Sequence, residues 1–123
     1  MVTNISLLLF IGLAWGQDCT ADDGTDGVEL WGECYSIENT TELHLVNNQL
    51  TGSIPPEIGN LTNLTHLNLR YNQLNGEMPE SICDLKMNWN STWSFTIYNN
   101  QLCPPYPSCI EDYVRKQDTS DCP

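Results

Sequence analysis

The chain has 123 residues, few enough for a single domain, and sets 4 Lys and Arg against 16 Asp and Glu for a formal net charge of −12. A charge of that sign repels phosphate backbones and anionic membrane surfaces at long range, which excludes nucleic acid and anionic lipid as partners. The six cysteines include no Cys-x-x-Cys pair, and neither His44 nor His66 lies beside a cysteine pair, so the expectation is three disulfides in an oxidising compartment, not a bound metal.

In chain order, MVTNISLLLFIGLAWGQDC opens with an apolar run from Ile5 to Trp15, broken only by Ser6 and Gly12, at whose end Ala14 and Gly16 form an A-x-G arrangement of small residues. This predicts a secretory signal peptide over residues 1–16, although no Lys or Arg precedes the run. The run is too short to span a bilayer, and no other membrane segment follows it. Residues 17–39 hold the acidic turn ADDGTDGVE and the string ELWGECYSI. Asp22, Asp23 and Asp26 lack the alternation and closing glutamate of a calcium loop, which leaves a solvated turn as the expectation.

From Asn47 the chain reads NNQLTGSIPPEIGNL, and 24 positions later it reads YNQLNGEMPESICDL. Leu43, Leu45, Leu50, Ile54, Ile58 and Leu61 recur as Leu67, Leu69, Leu74, Met78, Ile82 and Leu85, with Gly52 and Pro55 recurring as Gly76 and Pro79. A third, distorted copy, FTIYNNQLCPPYPSCI, aligns at an offset of 28, its extra residues falling in the loop KMNWNSTW. A fixed period of this length predicts stacked coils, none of which can bury its apolar face alone. Alternation in LHLVN and LNLRY predicts one short strand per coil. Asn48, Asn72 and Asn100 then turn inward as a ladder of amides bonded to the loops above and below. Gly52 and Gly76 permit a bend, and Pro55 and Pro79 start a short helical return.

These strings, together with LTHLNLRYNQLNGEMPESICDL from Leu64, closely resemble the 24-residue leucine-rich repeat of plant receptor kinases and polygalacturonase-inhibiting proteins. The resemblance covers about Thr40 to Ile110 and departs at Thr40, at Met78 and through the third copy. The cysteine-rich flanks are similar to those of secreted bacterial proteins that use this repeat, which makes a bacterial source the expectation. It implies an α/β repeat: a short right-handed solenoid with parallel concave strands, a second short strand near LTGSI, and disulfide-bonded caps over residues 17–39 and 111–123 flanking repeats over 40–110. In the first cap, Leu30, Trp31, Tyr35 and Ile37 would cover the open end, with Cys19 paired to Cys34. Resemblance to the terminal cap of the plant inhibitors suggests Cys103 with Cys109 and Cys83 with Cys122. Cys83 with Cys103 and Cys109 with Cys122 stands as an equal alternative, and IEDYVRKQDTSDC reads as a short helix with a polar return.

With the leucines facing inward, the strands expose His44, Val46, His66, Asn68, Arg70, Tyr71, Thr96 and Tyr98 as the candidate binding face, with Arg70 beside Tyr98 as a cation–π pair. His44 and His66 fall on adjacent strands, where Glu42 could join them as an acid–base set or a weak metal site. No nucleophile elbow, His-Glu-x-x-His or phosphate loop accompanies them, so neither catalysis nor a cofactor is expected. Asn39, Asn60, Asn63 and Asn90 begin glycan-acceptor triplets, relevant in a eukaryotic source. The expected function is a secreted or cell-surface binding module that recognises a protein, peptide or glycan. The alternatives are a structural spacer, or fragment of a larger exported protein, and a cell-wall hydrolase inhibitor.

Overall fold

The structure, a computed structural model, describes residues 18–123, with side chains from Cys19 onward. The expected signal segment, residues 1–16, lies outside the described residues.

Three strands form the N-terminal cap: β1 (Asp18–Thr20), β2 (Asp26–Leu30) and β3 (Glu33–Ser36), antiparallel in that order. Trp31 and Gly32 join β2 to β3 with φ of 49° and 85°, the left-handed pair that suits a two-residue hairpin turn. Val28 and Leu30 enter the main core, while Trp31, Tyr35 and Ile37 pack half-buried against it, as expected of a lid on the first coil.

Beyond the cap the chain makes three stacked coils. Their first strands, β4 (Glu42–His44), β6 (His66–Asn68) and β8 (Phe95–Thr96), form one parallel sheet in that order. Their second strands, β5 (Thr51–Gly52), β7 (Gln73–Glu77) and β9 (Gln101–Cys103), form another. In the first sheet each residue meets its repeat equivalent: Leu43 pairs with Leu67, and Leu67 with Phe95. The apolar positions shared by the copies form one buried column, so the hydrophobic effect acts between coils. Leu45 and Leu50, in the first coil, are only half-buried because no further coil lies beneath them.

Gly52 and Gly76 sit at φ of 78° and 76°, confirming the bend expected of them. The returns are the 3-10 turns Pro56–Asn60 and Glu80–Asp84, each entered from a proline in extended geometry. No α-helix occurs among the described residues, and the helix expected over IEDYVRKQDTSDC is a series of turns. A five-residue link is too short for a nucleated α-helix, and the proline start favours the tighter turn.

The asparagine ladder holds at two rungs and fails at one. Asn72 accepts the N–H groups of Asn48 and Leu50 at 2.9 and 3.0 Å and donates to the carbonyls of Leu45 and Leu69, both at 2.9 Å. Asn100 accepts from Leu74 N–H at 3.0 Å and donates to Leu69 and Ile97. Asn48, expected as a buried rung, is exposed and donates only to its neighbour Val46, because no coil precedes it.

Cys19 pairs with Cys34, as expected. The other four take neither of the arrangements weighed from sequence: Cys83 bonds Cys109 and Cys103 bonds Cys122. Cys83 lies in the return of the second coil and Cys109 one residue before Ile110, the core residue equivalent to Ile82, so stacking of successive returns brings them together. Cys103, at the end of β9, is thereby left to the C-terminal tail.

Candidate functional site

The first-strand sheet forms the floor of a cleft of about 470 Å³. Two columns of side chains run across it. Register places His44 opposite Asn68 and Asn68 opposite Thr96. The second column, two residues further along each coil, is Val46, Arg70 and Tyr98, all of which line the cleft. A bridge between Asn100 and Gln117 continues the sheet onto the C-terminal tail, setting Arg115 next in that column after Tyr98. Thr92 and Trp93, from the loop inserted in the third copy, line the same cleft and belong to neither column.

Of the candidate residues named from sequence, six line this cleft and two, His66 and Tyr71, lie at its border. The His66 ring meets Trp93 edge-on at 6.4 Å, and the Tyr71 ring meets Tyr98 edge-on at 5.7 Å. The expected Arg70–Tyr98 cation–π contact is absent among the described residues; the Arg70 Nη1 donates instead to Thr96 Oγ1 at 3.2 Å. Asn68 and Thr96, expected to be exposed, are 5 % and 2 % exposed and bond to each other along the first column. Both are polar groups whose partners sit one coil away, and that mutual satisfaction permits their burial.

Hydrogen-bond direction fixes the state of this floor. Thr96 Oγ1 donates to Asn68 Oδ1 at 2.9 Å, so the Asn68 amide nitrogen faces His44 Nδ1 at 2.8 Å and donates to it. His44 therefore carries its proton on Nε2, which donates to Glu42 Oε1 at 2.7 Å. That bond is the main cause that holds the Glu42 carboxyl below the usual carboxylate range.

His44 and His66 are neighbours as expected, their centroids 6.1 Å apart, with Glu42 Oε2 3.8 Å from His66 Nδ1. The set is not arranged for nucleophilic chemistry. Thr65 Oγ1 donates to the Thr41 carbonyl at 3.1 Å and so accepts from His66 Nδ1, at 2.9 Å, leaving the imidazole no hydroxyl proton to remove. Among the described residues no three His, Cys, Asp or Glu side chains are gathered as metal ligands. In the acidic turn, Asp23 accepts from Thr25 and Asn39, and those bonds lower its pKa.

Sequence reasoning missed Trp93, Arg115 and Gln117. The first lies in the loop KMNWNSTW, and the other two lie in the cap, beyond the last repeat copy. Gln117 acts as a further rung: its Oε1 accepts from Leu102 N–H at 3.1 Å and its Nε2 donates to the Ile97 carbonyl at 2.8 Å. The loop itself is anchored by Trp89 standing edge-on to Phe95 at 4.9 Å, which turns Trp93 outward to 76 % exposure.

Residues 41–86 match the family model for leucine-rich repeats, in two copies, and this stretch holds the first two coils. Repeats of this kind generally mediate protein binding. No curated protein matches the chain. Among the described residues no helix is long and apolar enough to cross a membrane.

Proposed function

We propose that this leucine-rich-repeat chain is an exported binding module that takes a protein partner in the concave cleft and performs no catalysis. In this reading it is a short solenoid of the 24-residue plant-type class. Its second sheet forms on the Leu-x-Gly segments of the first two coils, in β5 and β7, and is extended by β9, and its three disulfides suit an oxidising compartment.

One observation carries the binding role. Among the described residues the large exposed apolar side chains are Tyr71 and Trp93, at 52 % and 76 %, and both border the cleft. Large aromatics left in water beside a concave polar floor supply contact area at low entropic cost, and such residues dominate interface energies. Tyr71 also holds a left-handed φ of 61°, where the other two coils place Asn47 and Asn99. An aromatic kept at a position that favours asparagine serves something other than folding.

The test is capture of extracellular proteins on the immobilised, oxidised chain. Partners retained by the parent and by Glu77→Ala, an exposed position on β7, should be lost by the double variant Tyr71→Ala, Trp93→Ala. Equal capture by all three would remove the cleft as the binding surface.

A further inference from the structure

We infer that the cleft recognises a single acidic side chain, Asp or Glu, flanked by an apolar residue in a peptide segment of the partner, held between Arg70 and Arg115. This rests on the concave-face reading above and specifies its chemistry.

The chain has only 4 Lys and Arg against 16 Asp and Glu, so nearby carboxylates are abundant for each cation. Among the described residues, however, no arginine forms an ion pair, and the close contacts of a carboxylate are those of Glu42 with the His44 and His66 rings. Two of the four cations line the same cleft. Arg70 is half-buried and uses one of its donors, on Thr96; a guanidinium offers five. Arg115 is exposed and is held at a left-handed φ of 63°. Arg70 and Arg115 stand two steps apart in the column with Tyr98 between them, a backbone separation of about 10 Å at sheet spacing. Two arginine side chains can close on one carboxylate across that distance.

The surroundings set the rest of the ligand. Val46, Tyr98 and Trp93 give the cleft apolar and aromatic surface beside the cations, which suits a neighbouring apolar side chain. A run of anions, as on an acidic polysaccharide, meets the repulsion of a −12 chain and finds only two arginines to offset it. An isolated acid avoids most of that repulsion. Arginine also matches the planar carboxylate with paired N–H donors.

The test passes two hexapeptide pools over the immobilised, oxidised protein, each N-acetylated and C-amidated so that chain ends carry no charge. One pool holds a single Asp or Glu beside Phe, Leu or Trp; the other replaces the acid with Asn or Gln. The acidic pool should be retained about tenfold more strongly, as a charge-assisted pair in place of a neutral one predicts, and the excess should shrink with added salt. Arg70→Gln and Arg115→Gln should each remove most of the excess. Arg70→Lys, which keeps the charge and the fold, should keep part of it. Equal retention of both pools, retention of neither, or displacement of the acidic pool by an oligouronate or a phosphopeptide at equal concentration would overturn the inference. Equal retention that is lost in the Tyr71→Ala, Trp93→Ala variant would overturn it while leaving the concave-face reading intact.

Discussion

Asn72 Oδ1 accepts the backbone N–H of Asn48, 24 residues earlier, at 2.9 Å, while the Asn48 side chain reaches only its own neighbour Val46. Identical residues at equivalent positions of successive coils thus differ in consequence. Removing the Asn72 amide strands three backbone groups, the N–H donors of Asn48 and Leu50 and the Leu45 carbonyl, while the Leu69 carbonyl keeps its bond from Asn100. Asn72→Ala should destabilise the fold by about 3 kcal/mol, as buried groups left without partners do. Asn48→Ala should cost less than about 0.5 kcal/mol, the usual figure for a surface change. Denaturant midpoints of the two variants check the contrast, and similar losses would contradict the one-sided ladder.

Gly59 faces Ser81 across successive returns, and a β-carbon on it would lie 2.6 Å from the Ser81 carbonyl oxygen. Ser81 Oγ is itself held to the Pro56 carbonyl at 2.6 Å, so the neighbouring turn has little freedom to withdraw. Gly59→Ala should therefore cost about 1–3 kcal/mol by forcing the returns apart. Thermal unfolding under oxidising conditions measures it.

Tyr71 holds a left-handed backbone at φ 61°. Asparagine occupies that region at lower cost, so Tyr71→Asn should stabilise the protein by about 1 kcal/mol. The same change should weaken capture of a concave-face partner. A gain in unfolding midpoint together with loss of binding is the expected pair of results; a loss of stability would mean that the Tyr71–Tyr98 contact outweighs backbone strain.

The cysteine pairing has a direct readout. Proteolysis without reduction should yield linked peptides joining Cys83 to Cys109 and Cys103 to Cys122, which bridge 26 and 19 residues. Replacing Cys83 and Cys109 together with serine should cost about 2–4 kcal/mol through the freed unfolded chain and loosen the third coil first. Amide exchange in β9 reports the loosening.

Asp23 supplies a pH dependence. Hydrogen bonds from Thr25, then Asn39, lower its pKa below 3.8. A carboxylate depressed in the folded state contributes stability that is fully present above its unfolded value and is lost as pH falls through the folded one. Unfolding midpoints measured from about pH 6 to about pH 2 should thus fall more steeply for the parent than for Asp23→Asn, because the amide does not titrate. The difference between the curves should vanish at the acid end of the range and grow toward neutrality.

Much of the scaffold was legible in the sequence because each coil's partner is another copy of itself. Leu43, Leu67 and Phe95 must stack wherever a period repeats, and Gly52 and Gly76 must bend at the same place in each coil. Residues without a repeat equivalent carried no such information. Gln117 satisfies Leu102 and Ile97 from a tail that follows no period, and the loop that presents Trp93 is an insertion whose direction depends on Trp89 finding Phe95.

The sequence by itself determined the coil strands, the glycine bends, the buried column and six of the residues that line the cleft, since local alternation and fixed offsets encode contacts between equivalent positions. Only the tertiary structure decided the pairing of four cysteines, the burial of Asn68 and Thr96, and the meeting of Arg70, Trp93 and Arg115 around one cleft. These depend on how the irregular ends pack against the regular middle. Packing joins residues by shape and distance, which no repeat period records.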